Sequence, residues 1–140
     1  RRPPRSPLFP YTTLFRSSKK IKLKMLVENN RKWPLIIGGA TANDFSKPAV
    51  MPATISPWDL NTGQWVAELE TMGRGREFVQ MVIAGMDKLA PDEQLKFVRI
   101  IKDRRAGMYK FPENVQIIIP VADVSRVCRE IQKLSLIYNV

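Results

Sequence analysis

Arg74 and Arg76 stand one residue apart in the segment Gly73-Arg-Gly-Arg76, where the glycines leave the backbone pliant. Guanidinium donors on such a loop suit a phosphate, free or on a nucleic-acid backbone. A second basic stretch, Ser18 to Asn30, brings Lys19, Lys20, Lys22 and Lys24. Its Ile21, Leu23 and Met25 alternate with lysine as in a strand. Ile21, Met25 and Leu26, with Leu23 and Val27, also form a helical stripe. The helix is the expectation, because Asn29-Asn30 ends it ahead of Trp33-Pro34. A basic amphipathic helix can touch a membrane surface or nucleic acid. It can also dock on the protein with its lysine stems along apolar surface, and docking is the preferred reading. Lys19 to Lys24 with Arg74 and Arg76 support one candidate function, a small basic module that binds nucleic acid without catalysis. Its affinity would fall steeply with salt.

Other chemistry is excluded by residue type. The chain has 140 residues, no His and one Cys. A disulfide framework, a Cys/His zinc site and a His general base are therefore ruled out. Cys128 lies in an Arg-flanked helical segment and reads as an incidental thiol. No catalytic residue and no metal ligand are assigned. Trp58 and Trp65 have rings that can stack on bases, but packing is the commoner use. The formal net charge is +10, and Arg1, Arg2, Arg5 and Arg16 account for four of those charges. After Asp87 the cations alternate with Asp and Glu, as on a solvated face. No apolar run is long enough to span a membrane. No membrane partner is expected, and a cytoplasmic location is.

Residues 1–17 stand apart. Leu8 to Ser17, LFPYTTLFRS, looks like the in-frame translation of a common sequencing adapter, and RRPPRSP before it resembles the same read-through. They are expected to be disordered and are left out of fold reasoning. The rival reading is a basic, Pro-rich tail for acidic partners or SH3-like grooves. Residues 18–140 are long enough for one domain with its own core.

The elements that would position these residues are clearest between Glu77 and Asp123. Phe78 to Ala84 is an apolar run of strand length, and Val115 to Val121 is another. Between them Pro91 opens a helical pattern, with Asp92 and Glu93 in its first turn and Lys102, Arg104 and Arg105 in its last. Gly107 is the expected left-handed cap. Two uniformly apolar strands joined by a helix make a βαβ unit in a parallel sheet covered on both faces. Trp33 to Gly39 reads as a further buried strand, Ala53 to Ser56 as a short one, and Leu136 to Val140 as a terminal one. Helices are expected from Gln64 to Met72, capped by Asn61 or Thr62, and from Val124 to Leu134.

The order apolar strand, DKLAP, a helix ending in DRR, GMYKFPENV and a second apolar strand resembles the Walker B to sensor 1 segment of MoxR-type AAA+ ATPases. The resemblance covers Trp33 to Val140 and is strongest from Glu77 to Val121. It implies a P-loop NTPase-like α/β fold, a three-layer, open, mainly parallel sheet, with the family's helical lid absent. It also implies ATP and Mg²⁺ as ligands, assembly into a homo- or hetero-oligomeric ring, and action on a client protein. Gly38-Gly-Ala-Thr41 starts like the family's phosphate loop. Gly38, Gly39, Thr41 and Lys47 are the nucleotide-binding candidates there, and Asp123 falls at the sensor 1 position. The chain departs from the pattern at several of these points. Ala84 and Gly85 occupy the two acidic positions of Walker B, where one acid holds Mg²⁺ and the other polarises the attacking water. Ala42 replaces a glycine, the loop is too long by about two residues against the P-loop spacing, and Pro48 replaces the Ser or Thr after Lys47. Pro48 can start a helix, though Met51-Pro52 would end it at once. Asp44 adds negative charge facing the phosphates. Asp87 follows the catalytic pair and lies outside it. Arg126 or Arg129 would fall near a subunit interface. The expectation is an ATPase-like domain with a degenerate site and no hydrolysis. A frameshift across Ala40 to Pro52 is a third reading.

Overall fold

A computed structural model of the chain describes residues 11–140, with side chains from Lys19 onward. Residues 1–10, and the side chains of 11–18, lie outside the described residues. Helix α1, Tyr11–Asn29, therefore begins inside the run set aside as read-through. Its side chains Leu23, Val27 and Leu26 lie against the protein or half-covered, so the helical reading of Ser18 to Asn30 holds.

Four parallel pairings build one sheet. Strands β1 (Leu35–Gly38), β2 (Ala49–Pro52), β3 (Val79–Ala84), β6 (Val115–Val121) and β7 (Leu136–Asn139) lie in the order β2-β3-β6-β1-β7. The two strongest apolar runs, β3 and β6, are neighbours, with Val79 opposite Val115 and Val82 opposite Ile118. The pleat sorts side chains by parity. Ile36, Met51, Met81, Ile83, Ile117 and Ile119 face one way, into a core with α2 (Pro57–Thr62) and α3 (Val66–Gly73) and, beyond the short α4 (Pro91–Gln94), which buries only the polar Gln94, with α5 (Val98–Asp103) and α6 (Arg129–Leu134). Leu35, Ile37, Val82 and Ile118 face the other way, under Leu23 of α1 and Phe45 of the β1–β2 connection. Each fully buried Ile or Phe contributes about 1.5–3 kcal/mol. The result is an α/β fold, an open parallel sheet between two layers. Among the described residues no helix is long and apolar enough to cross a membrane.

The second layer is held by a polar tie. Gln80 and Gln116 are register partners on β3 and β6, and Gln80 Nε2 donates to Gln116 Oε1 at 3.5 Å. Gln116 Nε2 donates in turn to the Val27 carbonyl at the end of α1 (2.9 Å). At the same end of the sheet Arg31 pairs with Glu77, and its guanidinium lies 4.3 Å from the Phe78 ring centroid.

Several boundaries differ from expectation, each for a local reason. The short strand lies at Ala49–Pro52, ahead of Ala53 to Ser56, because Ser56 is used as a helix cap: its hydroxyl accepts from Asp59 N–H at 3.0 Å, with Pro57 at the first helical position. The expected helix from Gln64 is preceded by α2, and the two part at Gly63 (φ 72°), where an added Cβ would lie 2.4 Å from the Ala106 carbonyl oxygen. The helix from Pro91 is broken by a 3-10 turn at Leu95–Phe97 and ends with Arg104, not Gly107, in the left-handed region (φ 52°). Arg104 is held there by its own side chain, whose Nη2 donates to the carbonyls of Pro112 (3.2 Å) and Val115 (2.8 Å). Gly107 turns a small hairpin, β4 (Arg105–Ala106) to β5 (Tyr109–Lys110). The expected helix Val124 to Leu134 splits into a 3-10 turn, Val124–Arg126, and α6.

Candidate functional site

In an open parallel sheet, ligands bind outside the carboxyl ends of the strands, where successive connections leave in opposite directions. Here β1 connects to β2 across β6 and β3, while β6 connects to β7 across β1. The switch point is the β1/β6 boundary. A cleft of about 480 Å³ opens at that edge, lined by Gly39, Thr41, Ala84, Gly85, Asp87 and Ala122 among others. It is built from the tips of β1, β3 and β6.

Two of the backbone donors that line this cleft are committed elsewhere. Gly39 N–H donates to the Val121 carbonyl (2.9 Å). Thr41 N–H donates to Asp44 Oδ2 (2.8 Å), so the loop's own carboxylate takes the place an incoming anion would seek. Lys19 Nζ lies 3.6 Å from the same oxygen. The glycines themselves have a packing reason. A Cβ on Gly38 would meet Asn139 Oδ1 at 2.2 Å, and one on Gly39 (φ 84°) would meet the Val140 carbonyl oxygen at 2.7 Å. At Gly39 the left-handed φ and the Val140 backbone both call for glycine, whereas at Gly38 the crowding comes from the Asn139 and Val124 side chains.

The five nucleotide-binding candidates are not brought together. Gly39 and Thr41 line the cleft, with Gly38 behind them in β1. Lys47 lies at the other end of the sheet. It enters β2 at Ala49, which is level with Met81 and Ile117, four residues before the Val121 that is level with Gly38. That separation is about 13 Å along the strand direction at roughly 3.3 Å per residue. Lys47 also has φ 45°, and Pro48 leads straight into β2, so no helix follows the loop; its only helical turn is Ala42–Asp44. Asp123 is exposed and caps the turn after β6. Its Oδ1 accepts from Ser125 Oγ–H (2.6 Å) and Ser125 N–H (3.0 Å), and Oδ2 is 3.9 Å from Arg126 Nε. The Ser125 hydroxyl, above all, holds this carboxyl below the usual aspartate range.

Asp87 is the carboxylate that reaches the cleft wall. It is buried, and its Oδ2 accepts from the N–H groups of Ala122 (2.9 Å) and Asp123 (3.4 Å), latching the exit of β3 to that of β6. Magnesium would need oxygen side chains at the tip of β3, and Ala84 and Gly85 supply none. Among the described residues no cluster of three or more His, Cys, Asp or Glu could hold a metal ion. The residues present do not fit Mg²⁺.

A second cleft, about 680 Å³, adjoins the first and shares Asp87 and Lys88. Behind its lining lies Gln94, a fully buried residue with no sequence signal, since it reads as one more polar residue of a first helical turn. Gln94 Nε2 donates to the carbonyls of Leu89 (3.0 Å) and Arg126 (2.8 Å), and its Oε1 accepts from Cys128 N–H (2.6 Å). Cys128 is buried, and desolvation pushes its thiol up, away from thiolate reactivity. Trp65 packs edge-on against Phe111 at 5.4 Å and donates Nε1–H to the Leu60 carbonyl, so its ring serves the fold. Arg74 and Arg76 sit on the loop before β3, at the amino end of the sheet and away from both clefts. Asn114 Nδ2 donates to the Gly73 and Arg76 carbonyls there, each at 3.2 Å.

No known family model matches the chain, and no characterised protein matches it in sequence.

Proposed function

We propose that residues 18–140 form an AAA+ ATPase-like domain of the MoxR type whose nucleotide site is silent and whose role lies within an assembly. The observation that carries this reading is the tip of β3. Ala84 and Gly85 line the cleft at the point where hydrolysis needs one acid for Mg²⁺ and one for water. Three features support the family frame. The βαβ unit read from Glu77 to Asp123 has its two strands side by side. The strand ending in Gly38-Gly39 lies next to β6. The tips of the strands matched to the phosphate loop, Walker B and sensor 1 segments line one cleft, with Asp123 itself outside the lining. The silence is supported further by the missing helix after the loop, by Asp44 capping Thr41, and by Lys47 at the far edge. A phosphate loop works only with its lysine and the following helix in place.

A titration with a fluorescent ATP analogue tests this reading. The expected result is no saturable signal, and none gained on adding Mg²⁺ at millimolar concentration. Magnesium-dependent saturation, abolished by Thr41→Ala, would overturn it.

A further inference from the structure

The excess positive charge of the described residues is concentrated in one place. From Lys19 to Trp33 there are six cations against one carboxylate, net +5. From Pro34 to Val140 there are thirteen against twelve, net +1. Nearly all the imbalance lies on α1 and the turn after it, and that turn's Arg31 is already paired with Glu77. Positions along α1 are 100° apart, so the covered residues Leu23, Leu26, Val27 and Asn30 share one side. Ile21 and Met25 stand at the opposite pole, one turn apart, 58% and 56% exposed. Exposed Lys20 and Lys24 lie on one side of them, with exposed Glu28 between Lys24 and Ile21, and exposed Lys22 lies on the other.

This is a ridge with two apolar side chains at its crest, lysines on both slopes and the single carboxylate Glu28 among them; its Lys20 and Lys24 slope borders a cleft that Phe45 and Asp44 also line. Nucleic acid would be served by the lysines alone, since Ile and Met offer nothing to a phosphate. A protein partner needs about 800 Å² per side, and two side chains fall far short of that. An interfacial lipid layer accepts such a ridge. Lysines meet anionic headgroups while a few apolar side chains enter the acyl boundary, and no spanning helix is required. We propose that the outer face of α1 rests on an anionic lipid surface through Lys20, Lys22, Lys24, Ile21 and Met25.

Flotation of the full chain with vesicles tests this. The expected result is binding to phosphatidylcholine vesicles that contain phosphatidylserine, none to phosphatidylcholine alone, and release as salt rises. Reversing Lys20, Lys22 and Lys24 to Glu should weaken binding by about a hundredfold or more, from the contribution of each lysine near the surface. Ile21→Ser with Met25→Ser should weaken it by about tenfold while leaving the charge unchanged. All five positions are exposed, and circular dichroism of each variant checks that the fold persists. No flotation with phosphatidylserine at low salt overturns the proposal. So does equal binding by the Glu variant, or undiminished binding by the Ser variant. A salt-sensitive shift with a single-stranded oligonucleotide, without vesicle binding, overturns it in favour of nucleic acid.

Discussion

Asp87 shows how a residue can sit where chemistry is expected and still be structural. Its Oδ2 takes the N–H groups of Ala122 and Asp123, tying two strand tips together. Removing it as Asp87→Ala leaves those donors without their partner. The expected loss is about 1–3 kcal/mol, read as a lower urea midpoint. Asp87→Asn keeps an acceptor and should lose less. A loss confined to the Ala variant marks a latch. Asp123 titrates instead as a surface cap. Its folded-state pKa lies below the unfolded one, so whatever stability it adds is present above the unfolded value. That stability is lost as pH falls through the depressed folded value. Ser125→Ala removes the leading cause, and the Asp123 pKa followed by NMR should rise toward the ordinary aspartate range. An unchanged pKa would contradict the hydrogen-bonded cap.

At the scale of elements, what could be read in the sequence was what depends on local pattern. The runs Phe78 to Ala84 and Val115 to Val121 are apolar, bounded by turn residues and of strand length, and they pair as expected. Leu136 to Val140 is likewise a strand. What was hidden depends on contacts distant in sequence. Nothing near Arg104 announces that its guanidinium will reach Pro112 and Val115 and end a helix without glycine. Nothing near Val127 announces that Cys128 N–H will be taken by Gln94, 34 residues away, splitting a helix in two. Tertiary hydrogen bonds override propensity at both points. Gln94→Leu should therefore cost more than a surface substitution. It leaves Cys128 N–H and two carbonyls unpartnered, and the expected loss is on the order of 2 kcal/mol or more, seen as a lower Tm. A shift within about 0.5 kcal/mol, as at an ordinary surface site, would show that the two segments are held together by packing alone.

For the whole molecule, the sheet order places the cleft, and the cleft is where the sequence reading was least complete. Its lining joins residues from three separate segments, and their convergence is a property of topology. Lys47 looks close to Gly39 in sequence, yet it leads into the strand at the opposite edge, because the connection between them crosses the sheet face instead of turning into a helix. The glycines that resemble a phosphate loop have a packing role, beside Asn139, Val124 and the Val140 backbone. The proposed function is that of an ATPase-like scaffold that performs no hydrolysis. Phosphate release from ATP by the purified full chain, with Mg²⁺ and beside a Lys47→Ala variant, tests it most directly. The account predicts that both proteins match the protein-free rate; turnover by the unaltered chain that disappears in Lys47→Ala would contradict it.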